Sequence, residues 1–188
     1  MTSIAHITPA PPSAELLAAA TRPVAPLTLV YAGVLARFGT LALPMSQLQP
    51  LFDSHFPRAS ALLPRFDGEL PAQLRCRFDE VEDVRDLLYE HRSNDSNDSR
   101  WLAHAMAVGC LGSDHLWQDL GLPERRALSQ LLQEHFTTLH ARNGNNMRWK
   151  KFFYKQLCER AELHICKAPS CAECIDYPLC FSAEAESA

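Results

Sequence analysis

The sequence has no run of about 18 apolar residues, the length that a membrane-spanning helix requires. Its start, MTSIAHITPAPPSAELLAAA, has neither the basic opening nor the continuous apolar stretch of a secretory signal. We therefore expect a cytoplasmic protein that has no membrane partner.

The residue groups that mark several large enzyme classes are also missing. The chain has no glycine-rich phosphate loop, no helical HExxH and no grouping of Ser, His and Asp. Its formal net charge of −4 gives no global reason to bind nucleic acid. Hydrolase and nucleotide-dependent functions therefore have no support, and we expect no nucleic-acid partner.

The composition is that of a folded globular protein, with 47% hydrophobic and 21% charged residues in 188. No stretch alternates with period two for long, whereas apolar residues recur at helical spacing. This spacing predicts helices over residues 27–38, 46–56, 79–91, 100–112, 123–142 and 146–163.

Some boundaries are predicted from local chemistry. Gly39 should end the first of these helices, and Asp79 with Glu82 should cap the third. Residues 63–74 and the polar stretch 93–99 are expected to be loops.

Seven cysteines are an odd number, so disulfides cannot pair all of them. The segment CKAPSCAECIDYPLC, residues 166–180, holds four of them near the C-terminus. They have the spacing C-x4-C-x2-C-x5-C and are Cys166, Cys171, Cys174 and Cys180. Because Pro169 and Pro178 interrupt helix in this segment, the four thiolates can reach one centre.

Two kinds of metal centre use four thiolates. Structural zinc sites usually split their ligands into two close pairs separated by a dozen or more residues, and this segment has no such gap. Iron–sulfur clusters accept thiolates from one irregular loop, and the opening C-x4-C-x2-C is the plant-type ferredoxin spacing. The spacing therefore favours a cluster over zinc, and a disulfide framework is the least favoured.

The last predicted helix carries Arg148, Lys151 and Lys155 on one side, directly before the cysteine segment. Such a stripe is often only a solvated surface. Beside a cluster and four thiolates, whose net charge is negative, these residues and Lys167 would lower the cost of that charge. The same cations could attract a small oxyanion.

The other cysteines and two of the histidines have apolar or helical neighbours. Cys76, Cys110 and Cys158 are isolated, and isolated cysteines usually act as small buried hydrophobic residues. His104 and His135 lie on apolar helix stripes, so we expect core histidines rather than metal ligands.

The run NNMRWKKFFYKQLCER, continued by the cysteine segment, resembles the NifQ family of nitrogen-fixation proteins. The stretch WLAHAMAVGCLGSDHLWQDLGL, residues 101–122, is similar to the family's central motif. The resemblance covers roughly residues 80–181, which makes it more specific than a cysteine motif alone.

The resemblance implies a metal carrier rather than an enzyme. It implies an iron–sulfur cluster that combines with molybdenum derived from molybdate. The molybdenum is then passed to the NifEN scaffold, with NifH involved, for the iron–molybdenum cofactor of nitrogenase. The cluster ligands would be the four cysteines of the segment. A 4Fe-4S cluster would use all of them, whereas a 3Fe-4S core could use three and leave the fourth for molybdenum.

Further candidate ligands lie near these motifs. Asp114 and His115 begin the short segment DHLWQDL, which Ser113 can cap, and could contact an oxo-metal species or act only as a cap and a surface contact. His164 precedes Cys166 by two residues and could approach the cluster or only end the last helix.

We therefore predict an all-α fold. A compact helical domain, residues 26–163, follows a flexible segment, residues 1–25, and precedes an irregular four-cysteine metal-cluster loop and tail, residues 164–188. Two functions stay open beside the carrier. An iron–sulfur electron-transfer module would titrate reversibly by one electron without molybdenum uptake, and a zinc-stapled binding module would be colourless with one zinc.

Overall fold

The computed structural model describes residues 14–66 and 68–160. Within these ranges the α-helices are α1 Ala14–Ala19, α2 Pro26–Phe38, α3 Met45–His55, α4 Phe78–Glu90, α5 Asn97–Cys110, α6 Leu116–Asp119, α7 Arg125–His135, α8 Thr137–Arg142 and α9 Trp149–Arg160. Two 3₁₀ helices, Ser60–Arg65 and Ala72–Arg77, lie between α3 and α4. This part of the chain contains no strand, which confirms the all-α prediction for it. None of its helices combines the length and the apolar character needed to cross a membrane.

Helix α5 is the centre of the fold. Every residue from Trp101 to Cys110 is buried, and α2 and α4 pack against this helix. The predicted helix over residues 100–112 is confirmed, but α5 starts earlier than expected. Ser96 is its N-cap, and the Ser96 hydroxyl accepts a hydrogen bond from the Ser99 amide at 3.2 Å. The stretch 93–99 is therefore not wholly a loop, because its serine and asparagine side chains also favour helix starts.

The predicted cap of α4 is wrong. The N-cap residue is Arg77, which forms no side-chain cap, and Asp79 lies inside the first turn. Arg77 instead pairs with Glu80, with Nη2 2.6 Å from Oε1. The first turn of α4 is therefore tied by an ion pair rather than by a capping pair.

Two further boundaries differ from the prediction. The N-cap of α6 is His115, not Ser113, and the His115 amide donates a hydrogen bond to Gln118 Oε1 at 3.2 Å. Residues 63–74 are not a continuous loop, because the two 3₁₀ helices extend into this range. Short 3₁₀ helices suit such a segment because prolines interrupt longer helix.

The predicted helix 123–142 is two helices, α7 and α8, with Phe136 between them at φ −140° and ψ 51°. The apolar stripe nevertheless continues across the break, because Leu132, Phe136 and Leu139 are all fully buried. Gly39 ends α2 at φ 73°, as predicted, because the left-handed conformation costs glycine little.

The isolated cysteines and the core histidines mostly lie where the sequence predicts. Cys110 is buried and Cys158 is half-buried, but Cys76 is exposed because its 3₁₀ helix has no buried residue. His104 and His135 are both 6% exposed, so their place in the core is confirmed. Burial is the main cause that lowers the pKa of His104 to about 4, and the positive charge of Arg85 is the second cause.

Candidate functional site

The four cysteines of the predicted cluster, His164 and Lys167 lie outside the described residues, so their roles stay predictions. Within residues 14–66 and 68–160, no group of three or more His, Cys, Asp or Glu side chains could hold a metal ion. The predicted auxiliary contacts that the structure does describe are Asp114, His115, Arg148, Lys151 and Lys155.

Four of these five residues meet at one cavity. It has a volume of about 310 Å³ and lies between the segment 113–118 and the start of α9. We call it the α6–α9 cavity, and its lining residues are Ser113, Asp114, His115, Leu116, Gln118, Arg148, Trp149, Lys150 and Lys151. The fold thus joins residues that are more than 30 positions apart in the sequence.

Lys155 is the member of the basic stripe that does not line this cavity. It lies one turn further along α9 and pairs with Glu159 on the same helix. The stripe therefore has two surroundings, because Arg148 and Lys151 border the cavity whereas Lys155 joins an exposed ion pair.

A buried ion network joins the elements that form the cavity. Its centre is the Asp119 carboxylate, which is 0% exposed. Arg37 Nη2 lies 2.9 Å from Asp119 Oδ1, and Lys150 donates a short hydrogen bond to the other carboxylate oxygen. The same Arg37 nitrogen lies 2.7 Å from Asp114 Oδ2. The network therefore connects α2, the segment before α6, α6 itself and α9.

Gly112 makes room for this network. A Cβ atom on this residue would lie 2.3 Å from the Cγ atom of Asp119, so a larger side chain cannot fit without displacing the carboxylate. The Gly112 carbonyl also accepts a hydrogen bond from Lys150 Nζ at 2.8 Å. Burial raises the pKa of Asp119, and the charges of Lys150 and Arg37 oppose this rise.

A second polar cluster holds the middle of α9 against α4. The Tyr154 hydroxyl donates a short hydrogen bond to Glu80, which also accepts from Arg77 Nε at 2.7 Å. Arg77 Nη1 in turn donates to the Leu111 carbonyl at 2.8 Å. Burial alone would raise the pKa of Glu80, but the hydrogen bonds from Arg77 and Tyr154 lower it below its ordinary value. Helix α9 is thus attached to the body by two sets of polar contacts, one centred on the buried Asp119 and one that is part-buried.

The sequence prediction missed the residues that position the cavity, namely Arg37, Glu80, Asp119, Lys150 and Tyr154. The sequence contained a signal for two of these residues. Arg37 and Asp119 are each a single charge beside large apolar residues, in VLARF and LWQDL, whereas Lys150 is one of three cations in RWKKFF. Burying a charged side chain is costly unless it is paired, so charged residues among apolar ones are candidates for a buried ion pair.

The lining of the cavity carries charges of both signs, because Asp114 lies beside Arg148, Lys150 and Lys151. Three cationic side chains border the cavity, and His115 can supply an imidazole N–H. The first turn of α9 also forms part of the wall, and the N-terminal end of a helix presents amide N–H groups and positive potential.

Comparison with known proteins gives a consistent family. The NifQ family model matches residues 25–182 of the chain. Protein NifQ of Azotobacter vinelandii is 43% identical over 142 residues, which are 71% of this chain and 73% of that protein. A NifQ homolog of Sinorhizobium fredii is 44% identical over 122 residues, 60% of this chain and 53% of its own length.

Protein NifQ of Rhodobacter capsulatus is 45% identical over a shorter stretch of 85 residues. No solved structure matches the chain. The family match covers the helical body and extends through the cysteine segment, and family membership implies a role in nitrogen fixation. The chain therefore belongs to the NifQ family.

Proposed function

We propose that this chain is an iron–sulfur and molybdenum carrier that donates molybdenum for the iron–molybdenum cofactor of nitrogenase. It transfers metal and does not turn over a substrate as an enzyme does. Family membership supports a task in nitrogen fixation. The cysteine spacing supports an iron–sulfur centre within that task.

The observation that carries the proposal is the position of the cysteine segment relative to α9. This helix is described to Arg160, and Cys166 follows only six residues later in the sequence. Its first half is fixed to the body by the Asp119 network and by three buried aromatic residues, Trp149, Phe152 and Phe153. The carrier thus has a fixed helix directly before its metal-binding residues.

The metal-binding roles follow from donor chemistry. Cys166, Cys171, Cys174 and Cys180 would hold an iron–sulfur cluster of the 4Fe-4S or 3Fe-4S type, and thiolates are the usual ligands of such clusters. The cluster would supply a sulfur-rich surface for molybdenum, which is the cargo. The chain's own task is to hold both with the residues that follow α9.

The proposed partners follow from the same task. The protein would take its molybdenum from molybdate and deliver it to the NifEN scaffold with NifH involved. A cytoplasmic location would suit this exchange, because thiolates stay reduced there.

Anaerobic purification from cells fed molybdate tests the proposal. Iron, molybdenum and zinc are measured in the same sample, beside an electronic spectrum. We expect a brown protein that contains iron and molybdenum. Colourless protein with one zinc would favour a zinc-stapled module instead, and iron with reversible one-electron titration but no molybdenum would favour electron transfer.

Single cysteine variants test the ligand assignment. Cys171→Ala or Cys174→Ala should lose the chromophore and most of the iron, because each removes a proposed cluster ligand. The matched control is Cys76→Ala, since Cys76 is a free and exposed thiol outside the segment. Unchanged iron in the Cys171 and Cys174 variants would refute the assignment.

A further inference from the structure

We propose that Asn143 is a site of spontaneous deamidation which the α8–α9 turn, residues 143–147, holds closed, and that its modification loosens the start of α9. Asn143 is the C-cap residue of α8, and the next residue, Gly144, is exposed. Glycine has no side chain to hinder attack by its backbone nitrogen on the preceding asparagine, so an Asn–Gly pair favours this reaction. The reaction needs no metal, and the site is therefore independent of the proposed carrier role.

The chemistry is an intramolecular transfer of the Asn143 acyl group. The backbone nitrogen of Gly144 attacks the Cγ atom of Asn143 and forms a new N–C bond. The bond between Cγ and Nδ2 breaks, and the Nδ2 group leaves as ammonia with the proton of the Gly144 amide. Water then opens the cyclic imide at either carbonyl, which gives aspartate or isoaspartate. Nothing is oxidised or reduced, and water is the only co-reactant.

Hydrogen bonds hold both polar atoms of the Asn143 side chain in the folded protein. Its Oδ1 atom accepts from the Met147 amide at 2.8 Å, and its Nδ2 group donates to the Met147 carbonyl at 2.9 Å. Asn143 is only 9% exposed. Attack requires the side-chain amide to turn toward the Gly144 nitrogen, which would break both bonds. The reaction is therefore expected only in molecules whose turn has opened locally.

Arg125 of α7 stabilises the same turn. Its Nη2 atom donates to the Asn146 carbonyl at 3.1 Å and to the Met147 carbonyl at 3.0 Å. The Asn146 amide also donates to the Asn143 carbonyl at 2.9 Å. By contrast, a Cβ atom placed on Gly144 would have no neighbour closer than 4.0 Å. Hydrogen bonds, rather than packing around the glycine, thus keep the α8–α9 turn closed.

Modification would change the chain where it enters α9. An aspartate carboxylate has no N–H group, so position 143 would lose its hydrogen bond to the Met147 carbonyl and place negative charge beside that oxygen. Met147 is 6% exposed and lies two residues before Trp149, the buried first residue of α9. Loss of the turn would therefore disturb the packing at the start of this helix.

Peptide mapping by mass spectrometry tests the site in the full chain at mildly alkaline pH, with folded and guanidinium-unfolded protein compared at the same pH. We expect conversion of Asn143 to aspartate and isoaspartate in both samples. The folded protein should react about tenfold or more slowly, because two hydrogen bonds must break first. Equal rates in the two samples, or a folded protein in which Asn143 never reacts, would overturn the proposal.

A pair of arginine variants tests the role of the turn. Arg125→Gln should speed conversion in the folded protein about threefold or more, because it removes two hydrogen bonds that hold the turn. The matched control is Arg126→Gln, which changes an exposed arginine at the next position of α7 and should leave the rate within about twofold of the parent. No increase in Arg125→Gln, or the same increase in both variants, would contradict the closed-turn explanation.

A second pair of variants tests the consequence for α9. Asn143→Asp reproduces one product and should lower the melting temperature by about 2 °C or more, whereas Asn145→Asp, at an exposed position of the same turn, should lower it by less than about 1 °C. Hydrogen exchange of the amides of residues 149–153 should also be faster in Asn143→Asp than in Asn145→Asp. Equal melting temperatures and equal exchange in the two variants would refute the proposed loosening.

Discussion

Replacing Lys150 with methionine tests whether the buried ion network attaches α9 to the body. Methionine keeps much of the length and apolar stem of lysine but removes the ammonium group that contacts Asp119 and the Gly112 carbonyl. The Asp119 carboxylate, which is 0% exposed, would keep only Arg37 as a cation. A buried charge that loses a partner is costly, because water cannot replace that partner.

The expected loss can be estimated. Removing one partner of a buried ion pair costs about 3–5 kcal/mol, and the remaining Arg37 contact argues for the lower end, about 3 kcal/mol. For a domain of this size, each kcal/mol shifts the melting temperature by about 2–4 °C, which gives a decrease of roughly 6–12 °C. Thermal unfolding followed by circular dichroism measures this decrease.

Lys155→Met is the control, because it removes a lysine from the same helix whose partner, Glu159, is exposed. Such a pair contributes about 0.3–0.5 kcal/mol, so the control should melt within about 2 °C of the parent.

The decrease in melting temperature of Lys150→Met should also become smaller toward acidic pH. Burial raises the pKa of Asp119, and without Lys150 the carboxyl would take up a proton more readily. Equal melting temperatures for the two variants would refute the buried-network explanation.

Three further predictions concern the described residues. The free energy of unfolding of the parent should fall by up to about 3 kcal/mol as pH falls from 6.5 to about 4, because His104 takes up a proton in the unfolded chain before it does so in the folded protein. Urea titrations should show that the free energy of unfolding of His104→Gln does not have this decrease. Gly112→Ala should destabilise by about 1–3 kcal/mol in thermal unfolding, since its Cβ would overlap the buried Asp119 carboxylate, and an unchanged melting temperature would contradict that packing. Tyr154→Phe should lower the free energy of unfolding by about 1 kcal/mol at neutral pH, because it removes a hydrogen-bond donor to partly exposed Glu80. The difference between the variant and the parent should vanish as pH falls through the pKa of Glu80, and a difference that does not depend on pH would contradict this explanation.

Much of the fold could be predicted from the sequence because apolar spacing records which face of a helix is buried. The central helix α5, the end of α2 at Gly39 and the stripe through Phe136 all follow from local patterns. Local patterns do not determine where a helix bends, so the break at Phe136 between α7 and α8 was missed. Similarly, serine favours caps and loops alike, so the sequence alone could not identify Ser96 as the N-cap of α5.

The candidate site was predicted only in part. Asp114 and His115 form one predicted pair and Arg148 and Lys151 belong to one predicted stripe, and the fold brings the pair and the stripe to one cavity. Their shared support could not be predicted, because Arg37, Asp119 and Lys150 lie on three different helices and their contacts depend on how those helices pack. Sequence spacing describes one helix at a time, whereas an ion network between helices depends on tertiary geometry.

The packing of α9 against the body bears on how the proposed molybdenum cargo would leave the protein. Trp149, Phe152 and Phe153 together would expose apolar surface worth about 5–9 kcal/mol if this helix were lifted away, taking about 1.5–3 kcal/mol for each side chain. That sum approaches the whole stability of a typical domain, about 5–15 kcal/mol. If the chain acts as the proposed carrier, a receiving protein would therefore meet α9 still packed on the body, and release would not depend on detachment of this helix.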